Sequence, residues 1–132
     1  MATLHINGVS KSFGDVKILH DITLDLADGE FLVLVGPSGC GKSTLMNVVA
    51  GLEEPTTGQV TLAGRDITHL PPDERDVAMV FQSYALYPNM TVAQNIAFPL
   101  EMRKVPKAQR TEAVNHVAGM LQIDHLLDRK PK

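Results

Sequence analysis

The chain has 132 residues and a formal net charge of −3, enough length for one domain with a real core and no basic surface to offer nucleic acid. No apolar run approaches the roughly 18 residues that cross a membrane, and the start MATLHING lacks the charged and apolar regions of a signal peptide. Cys40 is the only cysteine, so no disulfide framework is possible; the histidines at 5, 20, 69, 116 and 125 lack metal-ligand spacing and are expected on surfaces. The expectation is a cytoplasmic protein without direct membrane insertion and without a nucleic-acid partner.

In chain order, Leu4, Ile6 and Val9 with polar neighbours predict a first strand. Ile18, Ile22, Leu24 and Leu26 continue the alternation, with Thr23 and Asp25 on the opposite face. Asp28-Gly29 is a turn signal that delivers the chain into Phe31–Val35, five apolar residues with no polar interruption. Such a run suits a strand buried on both faces of a parallel sheet. Next comes Gly36-Pro37-Ser38-Gly39-Cys40-Gly41-Lys42-Ser43, followed by Thr44, a full match to the phosphate-loop pattern. The helix expected after it carries Leu45, Met46, Val49 and Leu52 on one broad apolar face. Glu53 to Gly58 reads as a loop, Gln59 to Ala63 as a strand, and Gly64-Arg65-Asp66 as the turn that ends it. Pro71-Pro72 argues against helix or central strand there. Val77–Phe81 is a second unbroken apolar run, again suited to a buried parallel strand.

From Gln82 the pattern becomes helical. Thr91-Val92-Ala93-Gln94 matches a capping box opening a short helix that Pro99 is expected to end. Pro106 is placed to begin another, whose apolar positions are Ala113, Val114, Val117, Ala118 and Leu121. Asp124 is a candidate cap for a last turn before Pro131.

Strand, glycine-rich loop and helix together give the phosphate-loop motif its required context. Glycines 36, 39 and 41 let the backbone bend and aim successive N–H groups at a triphosphate. The helix starting near Lys42 adds unpaired donors and the positive end of its dipole. Lys42 is expected to reach the β- and γ-phosphates of a nucleotide, and the Ser43 hydroxyl to ligate Mg²⁺.

Several stretches together resemble one family, the ATP-binding subunits of ABC transporters. GPSGCGKST (36–44) is similar to the family's Walker A, and VFQSYALYP (80–88) to its Q-loop. LPPDERDVAMVFQ (70–82), TVAQNIAFPL (91–100) and KSFGD (11–15) resemble the carbohydrate and glycerol-phosphate importer branch. The resemblance implies an α/β P-loop NTPase fold: a mostly parallel sheet with an amino-terminal antiparallel β portion and a truncated helical subdomain. It divides the chain into 1–83, carrying Walker A and the Q-loop, and 84–132, the start of the helical part. It also implies that Phe13 stacks on adenine and that Gln82, at the end of a strand, approaches Mg²⁺ and the γ-phosphate. Without it, Phe13 reads as an ordinary core aromatic and Gln82 as a polar strand end.

The cofactors implied are ATP and Mg²⁺. The partners implied are a second copy of the subunit and a transmembrane permease. The permease would be met through Tyr84–Pro88, with Tyr84, Tyr87 and Met90 either at that interface or packed within the helical part. The location implied is the cytoplasmic face of the membrane, as a peripheral protein. Nothing in the chain resembles the signature LSGGQ, a Walker B aspartate with its catalytic glutamate, or the later switch histidine. The expectation is the amino-terminal half of an ATPase, inactive in hydrolysis alone. In the family's sheet the missing strands lie between Phe31–Val35 and Val77–Phe81, so both runs are expected to lack neighbours. A nucleotide-binding module that regulates without hydrolysing and an unrelated P-loop kinase stay open as rival readings; the Gln82 stretch argues against the kinase.

Overall fold

Alternating apolar residues form a hairpin of β1 (Leu4–Phe13) and β2 (Val16–Leu26), with Ile6 opposite Leu24 and Val9 opposite Ile22. Its loop is Gly14-Asp15, with positive φ at Gly14 alone, the pattern of a type II′ turn. β3 (Thr57–Leu62) pairs with the other edge of β1, and β4 (Arg65–Asp66) pairs with β3, giving an antiparallel order β2-β1-β3-β4. These elements come from a computed structural model describing residues 2–132, in which the chain divides into the units Met1–Met79 and Val80–Lys132.

The turn after β3 differs from expectation. Ala63 and Gly64 form it, with φ of 50° and 78°, and Arg65 and Asp66 already belong to the returning strand. A two-residue hairpin with the right-handed twist of its strands needs positive φ at both positions, and Gly64 supplies one of them without strain.

α1 (Lys42–Ala50) closes the first unit's core. Leu45 and Val48 pack with Ile6, Val9, Leu19, Val60 and Ile67, whereas Met46 and Leu52 are exposed and Val49 lies at the margin. The buried face is therefore narrower than the expected stripe, because the helix meets the sheet along one line and Gly51 ends it in a left-handed turn before Leu52. Arg75, only 2% exposed, seals that end. Its guanidinium donates to the carbonyls of Val48 (2.8 Å), Val49 (3.1 Å), Thr68 (3.0 Å) and Leu70 (2.7 Å). Burial lowers its pKa, an effect partly opposed by Glu54. The Pro71-Pro72 stretch does hold a single 3₁₀ turn, Pro72–Glu74, since proline is tolerated where no N–H is needed.

The two apolar runs form no ladder. Phe31 and Val35 are 88% and 89% exposed, and Val80 is 89% exposed. A buried parallel strand needs a hydrogen-bonded neighbour on each edge and a covered face on each side, and no described element supplies either to Phe31–Val35 or Val77–Phe81. The sheet present is the antiparallel portion.

In the second unit the capping box forms as expected. Thr91 Oγ1 accepts from the Gln94 backbone (3.2 Å) and Gln94 Oε1 accepts from the Thr91 backbone (2.7 Å). α2 (Val92–Met102) runs through Pro99 instead of stopping there. The ring sits on the exposed side and costs one donor, while the Pro99 carbonyl still accepts from the Arg103 N–H (3.2 Å) and so carries the helix on. α3 (Lys107–Met120) follows Pro106 and buries Val114 and Ala118, leaving Val117 and Leu121 exposed, because it packs on α2 along one side only. Ile123, not Asp124, caps the 3₁₀ turn Asp124–Leu126. The carbonyls of Leu127 and Arg129 then accept from Ala93 (2.9 Å) and Val92 (2.8 Å), satisfying donors at the start of α2.

Candidate functional site

The phosphate loop runs directly into α1. Gly41 holds φ 98° at the helix cap, and a Cβ there would stand 2.8 Å from Leu19 Cδ2 and 3.2 Å from the Ile18 carbonyl. Glycine is thus required twice over, by the left-handed backbone and by the close approach of β2. The first helical bond, Leu45 N–H to the Gly41 carbonyl at 2.9 Å, fixes where the helix begins. No acidic side chain occupies its first turn and no side chain caps it, so the positive end of the helix is left for an outside anion.

Lys42 folds back into the loop. Its ammonium donates to the carbonyls of Gly36 (2.6 Å) and Pro37 (2.7 Å) and lies 3.3 Å from Cys40 Sγ. A cation is therefore held at the loop's mouth with two of its donors on backbone oxygen. Residues 36–40, including Pro37, Ser38, Gly39 and Cys40, are exposed, as is Ser43 one residue into α1; Thr44 is half-buried. A hydroxyl oxygen at Ser43 suits a hard cation such as Mg²⁺, and the exposed glycine-rich loop with its lysine suits a polyphosphate.

Phe13 ends β1 at the hairpin tip, 47% exposed, so it is not a core aromatic. The Lys11 ammonium lies 4.8 Å from its ring centroid. Loop, hairpin tip and α1 all belong to the first unit. Gln82 lies in a turn of the second unit, where the Tyr84 N–H reaches the Phe81 carbonyl (3.0 Å); the expected strand end is absent because Val77–Phe81 has no ladder.

Tyr84 is 79% exposed, and it and Ala85 hold positive φ of 65° and 49°, uncommon for residues with side chains. Tyr87 instead packs partly inward, its ring centroid 4.7 Å from that of Phe98. Asn95 pins the segment, accepting from the Tyr87 N–H (2.8 Å) and donating to the carbonyls of Tyr87 (3.1 Å) and Thr91 (2.9 Å). Lys11, Arg75 and Asn95 escape sequence reasoning, since each acts on residues distant in the chain or on backbone atoms that no side-chain pattern encodes.

Among known protein families, the ABC transporter family matches residues 19–132. The chain belongs to the ABC transporter family. Similar relatives include the sn-glycerol-3-phosphate import ATP-binding protein UgpC of Cereibacter sphaeroides and the maltose/maltodextrin import ATP-binding protein MalK of Yersinia pestis. Each is 52% identical over the whole of this chain, which spans only 38% and 36% of their respective lengths. Among solved structures, the ABC-transporter ATP-binding cassette MJ1267 matches with a TM-score of 0.84 at 29% identity, over 98% of this chain and 58% of its own. The cassette MJ0796, a dimer in a post-hydrolysis state with ADP and phosphate, matches at 0.85 and 27% identity, over 97% of this chain and 61% of its own. The fold of this ABC-family chain is accordingly that of the α/β P-loop ATPases, and the unrelated kinase is set aside.

Proposed function

We propose that this chain is part of the ATP-binding subunit of an ABC importer coupling ATP binding and hydrolysis to uptake of a sugar or glycerol-phosphate. The observation that carries the reading is an exposed glycine-rich loop leading into an uncapped helix start, with the Lys42 ammonium held beside it by the Gly36 and Pro37 carbonyls, within reach of an anion bound there. The solute class rests on the names of the two import relatives.

In this reading Lys42 moves from backbone oxygens to the β- and γ-phosphates, and the N–H groups of Gly39 to Thr44 surround them. Phe13 would stack on the adenine and Ser43 would hold Mg²⁺; Gln82, in the second unit, is the other residue proposed as a Mg²⁺ ligand. A bound Mg²⁺ would supply positive charge to offset the negative charge of the nucleotide's phosphates. Residues 1–83 form the nucleotide-binding part and 84–132 the opening of the helical part. Tyr84–Pro88 offers exposed aromatic surface to a permease, and the dimeric cassette relative supports a paired subunit. A peripheral place on the inner face of the membrane belongs to the same reading; no helix among the described residues is long and apolar enough to cross a membrane.

Fluorescent MgATP titrated against the parent and Lys42→Ala tests this. Loss of a charge-assisted contact worth about 1.5–3 kcal/mol should weaken binding about ten- to a hundredfold. Equal affinities would remove Lys42 from the site.

A further inference from the structure

We propose that Lys11 is a positioning residue for a purine base, holding the Phe13 ring from one face so that the base stacks on the other. The inference rests on the nucleotide reading above. Lys11 and Phe13 are two apart on β1, and although the pairing with β2 is irregular between Lys11 and Ser12, the Lys11 ammonium lies over the Phe13 ring. The ammonium stands 4.8 Å from the ring centroid, and about half of Phe13 remains exposed, which leaves ring surface free for a base.

The cation itself is fixed. Lys11 Nζ pairs with Glu53 Oε2 at 3.0 Å and donates to the Glu54 carbonyl at 2.7 Å. Its side chain is only 13% exposed, so solvent screens it less than it would a surface lysine. The loop carrying both glutamates is tied to β1 by the Thr56 N–H to the Ser10 carbonyl (2.8 Å) and by the Ser12 N–H to Thr56 Oγ1 (2.9 Å).

Both ends of α1 are thereby referred to the same hairpin. Its start, at Gly41, lies against Ile18 and Leu19 of β2, three and four residues beyond the Gly14-Asp15 loop; the loop beyond its end holds Lys11. The aromatic ring is consequently set at a defined position from the phosphate loop. A cation on one face also draws electron density from the ring, which favours an electron-rich purine on the far face.

The test is calorimetric titration of the full 132-residue chain with MgATP and with magnesium tripolyphosphate, a base-free probe. Lys11→Met keeps the aliphatic stem and removes the charge. The expected result is a MgATP Kd raised about two- to fivefold with the tripolyphosphate Kd unchanged. Lys11→Arg should restore the parent value, since a guanidinium also stacks on an aromatic face and pairs with a carboxylate. In a Phe13→Leu background, already weaker for MgATP, Lys11→Met should add nothing. If Lys11→Met fails to fold, Lys11→Gln, which keeps a donor for the Glu54 carbonyl, gives the same comparison. Equal losses for both probes, no loss for MgATP, or a loss persisting in Phe13→Leu would overturn the proposal. A parent that binds tripolyphosphate but shows no preference for MgATP would overturn it while leaving the phosphate cradle intact. A parent that binds neither would overturn the nucleotide reading and this inference with it.

Discussion

Asp66 is exposed, yet its carboxyl is held down at about 2 from an ordinary 3.8. The Thr68 hydroxyl contributes most (2.6 Å), then the Thr68 N–H (2.9 Å), then the Gln59 amide (2.7 Å). All three donate to the charged form. Because the folded value lies below the unfolded one, the associated stability is present above pH 3.8 and is lost as the pH falls towards 2. Denaturant midpoints of the parent and Asp66→Asn should differ at neutral pH and converge as the pH drops from 4 to 2. A gap unchanged down to pH 2 would contradict this. The same three residues show how local hydrogen bonding, rather than burial, sets a charge on this surface.

At the scale of elements, α1 is held at both ends by atoms far from it in sequence. Its start leans on β2 through Gly41, and its last carbonyls are taken by Arg75. Arg75→Met keeps much of the volume but leaves the buried carbonyl of Thr68 and the part-buried carbonyls of Val49 and Leu70 without donors, while Val48 keeps the Gly51 N–H. The expected cost is about 2–4 kcal/mol, read from urea unfolding of the first unit by circular dichroism. A cost below 1 kcal/mol would mean that water reaches those carbonyls. α2 shows the opposite balance: its interior proline loses one donor, and the helix continues because its partly buried face still packs on α3.

At the scale of the molecule, two apolar segments stand outside any sheet. Amides of 31–35 and 77–81 should exchange within the fastest class in native-state hydrogen exchange, while Ile6, Val9 and Val60 in β1 and β3 exchange slowly. Unpaired apolar backbone of this kind also templates association, so light scattering should rise with concentration. Strong protection of both segments in a monomer would overturn this. Burial on partner strands is the condition under which the same residues become a sheet interior.

Sequence by itself determined what depends on neighbours within a few residues. The phosphate loop, the Thr91–Gln94 capping box, the alternation in β1 and β2 and the apolar character of Phe31–Val35 are local patterns, written in spacing and side-chain type. The resemblance carried in GPSGCGKST and VFQSYALYP was legible for the same reason. Tertiary structure alone decided which face α1 buries, where Lys42 and Lys11 place their charges, and that Arg75 rather than a nearby residue closes a helix. It also decided that an apolar run is a strand only where another backbone offers it hydrogen bonds. Hydrophobic pattern specifies a preference for burial, but a ladder and a core need partners, and those are set by how the chain is brought together in space.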